Sequence, residues 1–439
     1  MSKRVLAGGW TIAAALAALL VTGCKSDDAT TGPAPGTPGS VITVSGKVLG
    51  QNNQPVAGVP VFVAGKPSTN SDANGNFSFA SVTVPYDITV VNGTAKTALV
   101  YKGLTRTDPT LVYLGLFPGT ARSASLAGKV SGGAFAPNQP ADHVTRVLFS
   151  SPEGANSTST ALDGTFGPMS ISWPGPATTT GTIYALQFQA ASGLPVAAGY
   201  KGYGVKSGVV LTDGNPLINQ FDTLQTVATA QMTGTVTLPA GYTIYVKQMH
   251  LRLSSFSSLQ IFNDATPTGT LSYYTPNIPG TSLVLAVGAQ AGGGGSSQSV
   301  MLRPNIAPGA SGVAITLPVS PEHSLPISGA TGVDTTVTFS WTAYSGGVHL
   351  VVFAGGVGYP TYYIFSAGTS TSIPNLQPFG LGLPLNRPYN WQIYGFAPFS
   401  NVDGAAGPTG FLGPLLNPAT TTADSYIALS AQRPFQTKP

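Results

Sequence analysis

Val44-Ser45-Gly46-Lys47-Val48 sets apolar side chains on alternate positions around a central glycine. The opening returns twice, as Leu126-Ala127-Gly128-Lys129-Val130 and Met232-Thr233-Gly234-Thr235-Val236. A period of two buries one face of a strand and leaves the other in water. From Val41 onward similar runs are broken by Gly, Pro, Asn and Asp, and none has helical periodicity. The three glycines lie about 82 and 106 positions apart, too far and too unevenly for a solenoid. They predict the first strands of three successive domains in an all-β chain of tandem β-sandwiches.

Composition agrees with that class. The 439 residues include Gly 55 and Pro 37, and only 8% are charged, against a typical share of about 25%. Hydrophobic residues at 42% suffice for real cores, so solvation falls to Ser, Thr, Asn and Gln. The net charge of +4 drops to about +2 if Lys3 and Arg4 are removed, and no Lys/Arg stripe exists, which argues against nucleic acid as a partner.

Lys3 and Arg4 precede an apolar stretch from Val5 to Leu20, and Val21-Thr22-Gly23-Cys24 follows, with the chain's one cysteine. Charged head, apolar middle and small residues are the pattern of a secretory signal. The tetrad resembles a bacterial lipobox. That resemblance implies cleavage before Cys24, acylation of its sulfur and amine, and a membrane partner through the lipid. Lys25 in place of an aspartate favours the outer membrane. The alternative reading of Cys24 is a buried free thiol behind an ordinary signal or a transmembrane anchor. Residues 24–40 are Pro/Gly-rich and read as a tether.

The first unit continues with Gln54-Pro55-Val56-Ala57-Gly58-Val59-Pro60-Val61 and Asp72-Ala73-Asn74-Gly75-Asn76-Phe77. Together with Gly46-Lys47-Val48 these resemble the carboxypeptidase-regulatory-like, or transthyretin-like, β-sandwich family. The second unit keeps Asp163-Gly164-Thr165-Phe166, and the third only its opening strand. Farther on, Phe339-Ser340-Trp341, Ile373-Pro374-Asn375-Leu376 and Tyr389-Asn390-Trp391-Gln392-Ile393 are similar in order to fibronectin type III domains. That likeness implies a core tryptophan on strand B and a corner-forming Tyr389. The expected division is signal 1–23, tether 24–40, sandwiches 41–122, 123–228 and 229–320, and a fibronectin type III-like domain 321–439. Residues 395–424 then form a long insertion between its last two strands.

Candidate chemistry is sparse. Asp72, Asn74 and Asn76 alternate like half a calcium loop but lack the later bidentate acid, so a hairpin turn is expected. His143, His250, His323 and His349 have no metal-ligand spacing, and no metal site is expected. The run Gly292-Gly293-Gly294-Gly295-Ser296-Ser297 lacks the helix and Lys-Ser/Thr pair of a phosphate loop. No serine stands in a G-x-S-x-G setting, and none of the turn-bound aspartates has the apolar context of a proton donor. No catalytic residue and no cofactor is expected.

Aromatic clusters remain as the hint of a recognition surface, because flat rings stack on sugars and anchor interfaces. Tyr273, Tyr359, Tyr362, Phe396 and Phe399 are the ligand-binding candidates, the last two placed in the insertion. Cross-strand packing is the competing use for these rings. The functional expectation is a non-enzymatic, outer-membrane lipoprotein that serves as a stalk or as a binding module for glycan or protein. The alternative is an accessory subunit or member of an envelope carbohydrate- or peptide-processing hydrolase system.

Overall fold

The computed structural model describes residues 36–115, 119–133, 142–190, 197–292, 296–344, 347–408, 410–411 and 418–439. Among the described residues the fold is all-β, and three groups of seven strands repeat one plan. The first holds β1 (Val41–Gly50), β2 (Pro60–Val63), β3 (Thr69–Asn70), β4 (Asn76–Thr83), β5 (Tyr86–Asn92), β6 (Thr97–Leu104) and β7 (Thr110–Tyr113). The second holds β8 (Ala121–Gly132), β9 (His143–Ser150), β10 (Ala155–Ser159), β11 (Thr165–Pro174), β12 (Thr178–Ala190), β13 (Ala197–Thr212) and β14 (Leu217–Thr226). The third holds β15 (Ala228–Thr237), β16 (Tyr242–Ser254), β17 (Ser257–Asp264), β18 (Thr270–Asn277), β19 (Ser282–Ala291), β20 (Gln298–Ile306) and β21 (Val313–Thr316).

In every group the opening strand is the middle of three: β4-β1-β7, β11-β8-β14 and β18-β15-β21. It pairs antiparallel with the fourth strand and parallel with the seventh. This explains the recurring glycine. A Cβ on Gly46, Gly128 or Gly234 would collide with the carbonyl oxygen of Pro109, Gln220 or Val313, respectively, on the chain entering or forming that parallel neighbour. The facing sheets also match, in the orders β3-β2-β5-β6, β10-β9-β12-β13 and β17-β16-β19-β20. The third group therefore repeats the plan of the first two although its sequence keeps only the opening strand.

The last group has fibronectin-like order: β22 (His323–Leu325), β23 (Ala330–Val333), β24 (Phe339–Trp341), β25 (Val348–Ala354), β26 (Thr361–Ser366), β27 (Ser370–Thr371), β28 (Pro388–Ala397), helix α1 (Val402–Ala405), β29 (Ser425–Leu429) and β30 (Arg433–Thr437). The sheet β22-β24-β27 covers β26-β25-β28, with β30 and β29 end to end along the far edge of β28. Trp341, Phe339, Ile373, Leu376, Tyr389 and Trp391 fill the core between them. Tyr389 departs from the expected corner: its hydroxyl donates to the carbonyl of Pro360, just before β26, at 3.0 Å.

The groups are not beads on a string. Strand β6 pairs in parallel with β26, matching Thr97–Tyr101 to Thr361–Phe365, and β20 pairs antiparallel with β29. One sheet thus runs from the third group through the last to the first. Strand β25 is consequently buried on both faces. Its Val348, Leu350 and Val352 join Leu99 and Tyr101 in a core shared with the first group. Val351 and Phe353 face Phe339 and Trp391. Strand β12 is two-faced in the same way: Ile183 and Ala185 fill its own sandwich, while Tyr184, Leu186 and Phe188 pack into the third group. Such runs of consecutive buried residues belong to strands covered on both sides.

Candidate functional site

The described parts of the segment after β28, residues 398–408, 410–411 and 418–424, form a strap and not a free loop. Strand β28 continues to Ala397, so the insertion begins later than the sequence suggested. Its first part lies on the first group: Phe399, Val402, Ala405, Ala406 and Phe411 enter the shared core. The Asp403 carboxylate accepts the N–H of Thr105 at 2.8 Å, the N–H of Arg106 at 3.1 Å and the Thr105 hydroxyl. The Arg106 guanidinium donates to the Asp403 carbonyl at 2.9 Å and pairs with Asp108 at 2.7 Å. Its returning part lies on the third group, where Arg303 pairs with Asp424 at 2.6 Å and Arg252 donates to the carbonyls of Pro418 and Thr421. Charge-assisted bonds at both ends tie three groups through one strap.

The aromatic candidates fall mostly into cores. Phe396 is fully buried on β28 and Phe399 is buried beside α1, so neither is presented to a ligand as the loop reading expected. Tyr362 is also fully buried, with its hydroxyl donating to the Leu381 carbonyl at 2.8 Å. Tyr273 points inward and Tyr274 outward, 47% exposed, on a face that also carries Gln231 and Ser272 joined at 3.0 Å. Parity along β18 makes this choice, since Leu271 and Tyr273 share the core face. Tyr359 alone of the five remains partly exposed, with the Arg387 guanidinium 5.2 Å over its ring. Cys24 lies outside the described residues.

Around Tyr273 is a buried ion pair the sequence reading missed. Lys247, 1% exposed, sits on the apolar side of β16 with Met249 and Leu251. Its ammonium reaches Asp264 at 2.8 Å, the Thr266 hydroxyl at 3.0 Å and the Thr268 carbonyl at 3.1 Å. All three ammonium hydrogens therefore have acceptors. Tyr273 donates to Asp264 at 3.1 Å and its ring lies tilted against Phe262. Burial works to raise the Asp264 carboxyl, but hydrogen bonds from Lys247 and Thr266 outweigh it and hold it below the usual range. Burial pushes the Tyr273 phenol up. The ammonium and the carboxylate are both occupied by partners within the protein, so this pair reads as a strut. The signal was a lysine at an inward parity position followed by Asp264-Ala265-Thr266.

His323 and His349 are likewise engaged within the fold. His323 lies 3.2 Å from the Trp391 carbonyl and edge-on to its ring, and His349 accepts the Tyr344 N–H at 3.0 Å. A cleft of about 430 Å³ at one end of the first group is lined by Val63, Lys66, Ser81, Pro85, Tyr86 and Asp87. Two of its polar groups are engaged: Tyr86 donates to the Arg106 carbonyl at 2.6 Å, and Asp87 accepts the Gly103 N–H at 2.8 Å.

At the opposite end, turns of the first and last groups meet. Lys96, just before β6, donates to the Gly358 carbonyl at 2.8 Å, and its own carbonyl accepts the Thr361 N–H at 2.9 Å. Gly356 and Gly358 take φ of 86° and 85°, a region open chiefly to glycine, and this holds Val357 out at the crest of the turn. Val357 is 103% exposed and Leu385, two residues before Arg387, 60%.

No family model and no curated protein matches the chain. Among solved structures, similarity extends to the Bacillus anthracis TIE protein at 10% identity, over 63% of this chain and 50% of that one, with a TM-score of 0.15. The major pilin subunit BcpA of Bacillus cereus is similar at 9% identity, over 63% and 98%, with a TM-score of 0.14. The chicken CNTN1 FN1-FN3 domains are similar at 8% identity, over 93% and 100%, with a TM-score of 0.15. The chain spans half the length of the first of these. Likeness at such scores leaves the architecture to be read from the strands themselves: an all-β series of sandwiches ending in a fibronectin-like group.

Proposed function

We propose that this chain is a non-enzymatic, lipid-anchored envelope protein that works as a rigid binding body for glycan or protein. The observation that carries the reading is the continuous sheet through the third, last and first groups, strapped by residues 398–408 and 418–424. Shared strands and shared cores suppress the relative motion expected of loosely linked domains, which suits holding a surface in fixed geometry. The anchor rests on Lys3, Arg4, the apolar run and Val21-Thr22-Gly23-Cys24, with Lys25 favouring the outer membrane. Exposed Tyr274 beside Gln231 and Ser272 is the ring best placed to stack on a sugar. The test is a glycan-array and envelope-fraction binding screen with residues 25–439, comparing the parent with Tyr274→Ala. Saturable binding weakened by that change supports the reading, and absence of any retained ligand removes it.

A further inference from the structure

The turns that meet at the seam of the first and last groups form a surface of a particular kind. Val357 stands fully exposed between two left-handed glycines, and Leu385 projects from the neighbouring loop. Around them are exposed cations: Lys96, fixed to the Gly358 carbonyl, Arg387 over the Tyr359 ring, and Lys438 near the chain end. The Asn386 N–H donates to the Lys438 carbonyl at 2.7 Å, which places that lysine beside the same loop. Asp334 is the acid within reach, and Lys438 engages it at 3.3 Å. Residues 93–96, 355–360 and 374–387 contain no carboxylate at all.

We propose that this tip docks on an anionic lipid bilayer, with Val357 and Leu385 entering the interface and Lys96 and Arg387 meeting the phosphates. Apolar tips flanked by Lys and Arg, with a tyrosine at the boundary, suit a medium that is apolar within and anionic at its surface. A folded protein partner suits them less. Such an interface needs a contiguous, shaped patch, whereas these side chains stand singly on separate turns and need only a fluid that closes around them. The opposite end of β6 carries Gly36, whose N–H donates to the Thr105 carbonyl at 2.9 Å. The two ends are thus separated by the length of β6, about 26 Å, and a tether held in one membrane leaves the tip free for another surface.

The test uses residues 25–439, which contain every described strand and no Cys24, so it is independent of the lipid anchor and of any glycan. Co-sedimentation is measured with vesicles of phosphatidylcholine alone and of equal parts phosphatidylcholine and phosphatidylglycerol, at 0.1 and 0.5 M salt. The expected result is at least about tenfold greater retention on the anionic vesicles, falling with salt. Val357→Asp with Leu385→Asp should abolish it at an unchanged melting temperature, and Lys96→Gln with Arg387→Gln should remove the salt-sensitive part. Equal retention on both vesicles, or retention that survives Val357→Asp with Leu385→Asp, overturns the proposal. So does an absence of vesicle binding, including the case where Val357 instead mediates capture of a protein.

Discussion

The carboxylate of Asp403 accepts the backbone N–H of Thr105, 298 residues earlier in the chain, at 2.8 Å. The Arg106 N–H shares the same oxygen. Asp403→Ala leaves these donors without their charged acceptor, and the expected cost is about 2–4 kcal/mol. Protease cutting within residues 398–424 should quicken in parallel. Chemical denaturation together with timed digestion checks both, and a variant as stable and as resistant as the parent removes the strap from the account of rigidity.

Residues 36–115 expressed alone should lack a cooperative transition. Their β6 edge and the side chains of Leu99 and Tyr101 are completed by β26, Phe365 and Phe396, and a sandwich cut through a shared core loses much of its apolar burial. Circular dichroism melting of the fragment decides this, since a sharp two-state curve would make the last group dispensable to the first.

Phe396→Ala, Trp341→Ala and Trp391→Ala should each cost about 3–5 kcal/mol, because all three side chains are buried in well-packed cores. Tyr274→Ala, on the solvent face of the same molecule, should stay within about 0.5 kcal/mol. Urea titrations of the four variants separate the two classes.

Lys247→Met strands the Asp264 charge and should destabilise by about 3–5 kcal/mol, whereas Lys247→Met with Asp264→Asn should recover part of the loss. A double-mutant cycle measures the coupling. Strictly additive costs would mean that the pair contributes only by packing.

Acid should weaken the fold before the aspartates titrate. Burial holds His323 down to about 4, with the Trp391 carbonyl opposing and Arg433 reinforcing, and burial likewise holds His250 to about 4. A depressed folded value means the unfolded chain binds the proton first, so this stability is complete above the unfolded value near 6.5 and drains away as pH falls toward 4. Both imidazoles keep some exposure, and solvent screening reduces the effect. Melting between pH 7.5 and 4.5 should fall less steeply in His323→Gln than in the parent, and parallel slopes would refute the assignment.

What could be read from residues alone was local. The glycines at 46, 128 and 234 marked the three opening strands, and Trp341 and Trp391 marked a core, because period-two alternation and aromatic spacing act within a few residues. The wrong placement of Phe396 and Phe399 has the converse cause. Phe396 extends the alternation of β28 beyond Tyr394, Phe399 follows in a segment rich in Pro and Gly, and much of the surface that buries them comes from residues 44–112, whose proximity leaves no trace in the local pattern. The choice between Tyr273 and Tyr274 needed the register of β18 on β15, which pairs Tyr273 with buried Met232. Lys247 was overlooked because a lysine on a strand reads as solvent-facing until its parity is compared with Met249 and Leu251.

The parallel seam between β6 and β26 has a bearing on biogenesis. Synthesis delivers residues 97–101 long before 361–365, so for most of the chain's emergence a hydrogen-bonding strand edge waits beside apolar Leu99 and Tyr101. An edge of this kind accepts any suitable strand that arrives. When two chains mature side by side, the strand supplied by one can complete the other. The outcome is an exchanged pair built from native contacts alone, and its yield rises with the local density of nascent chains.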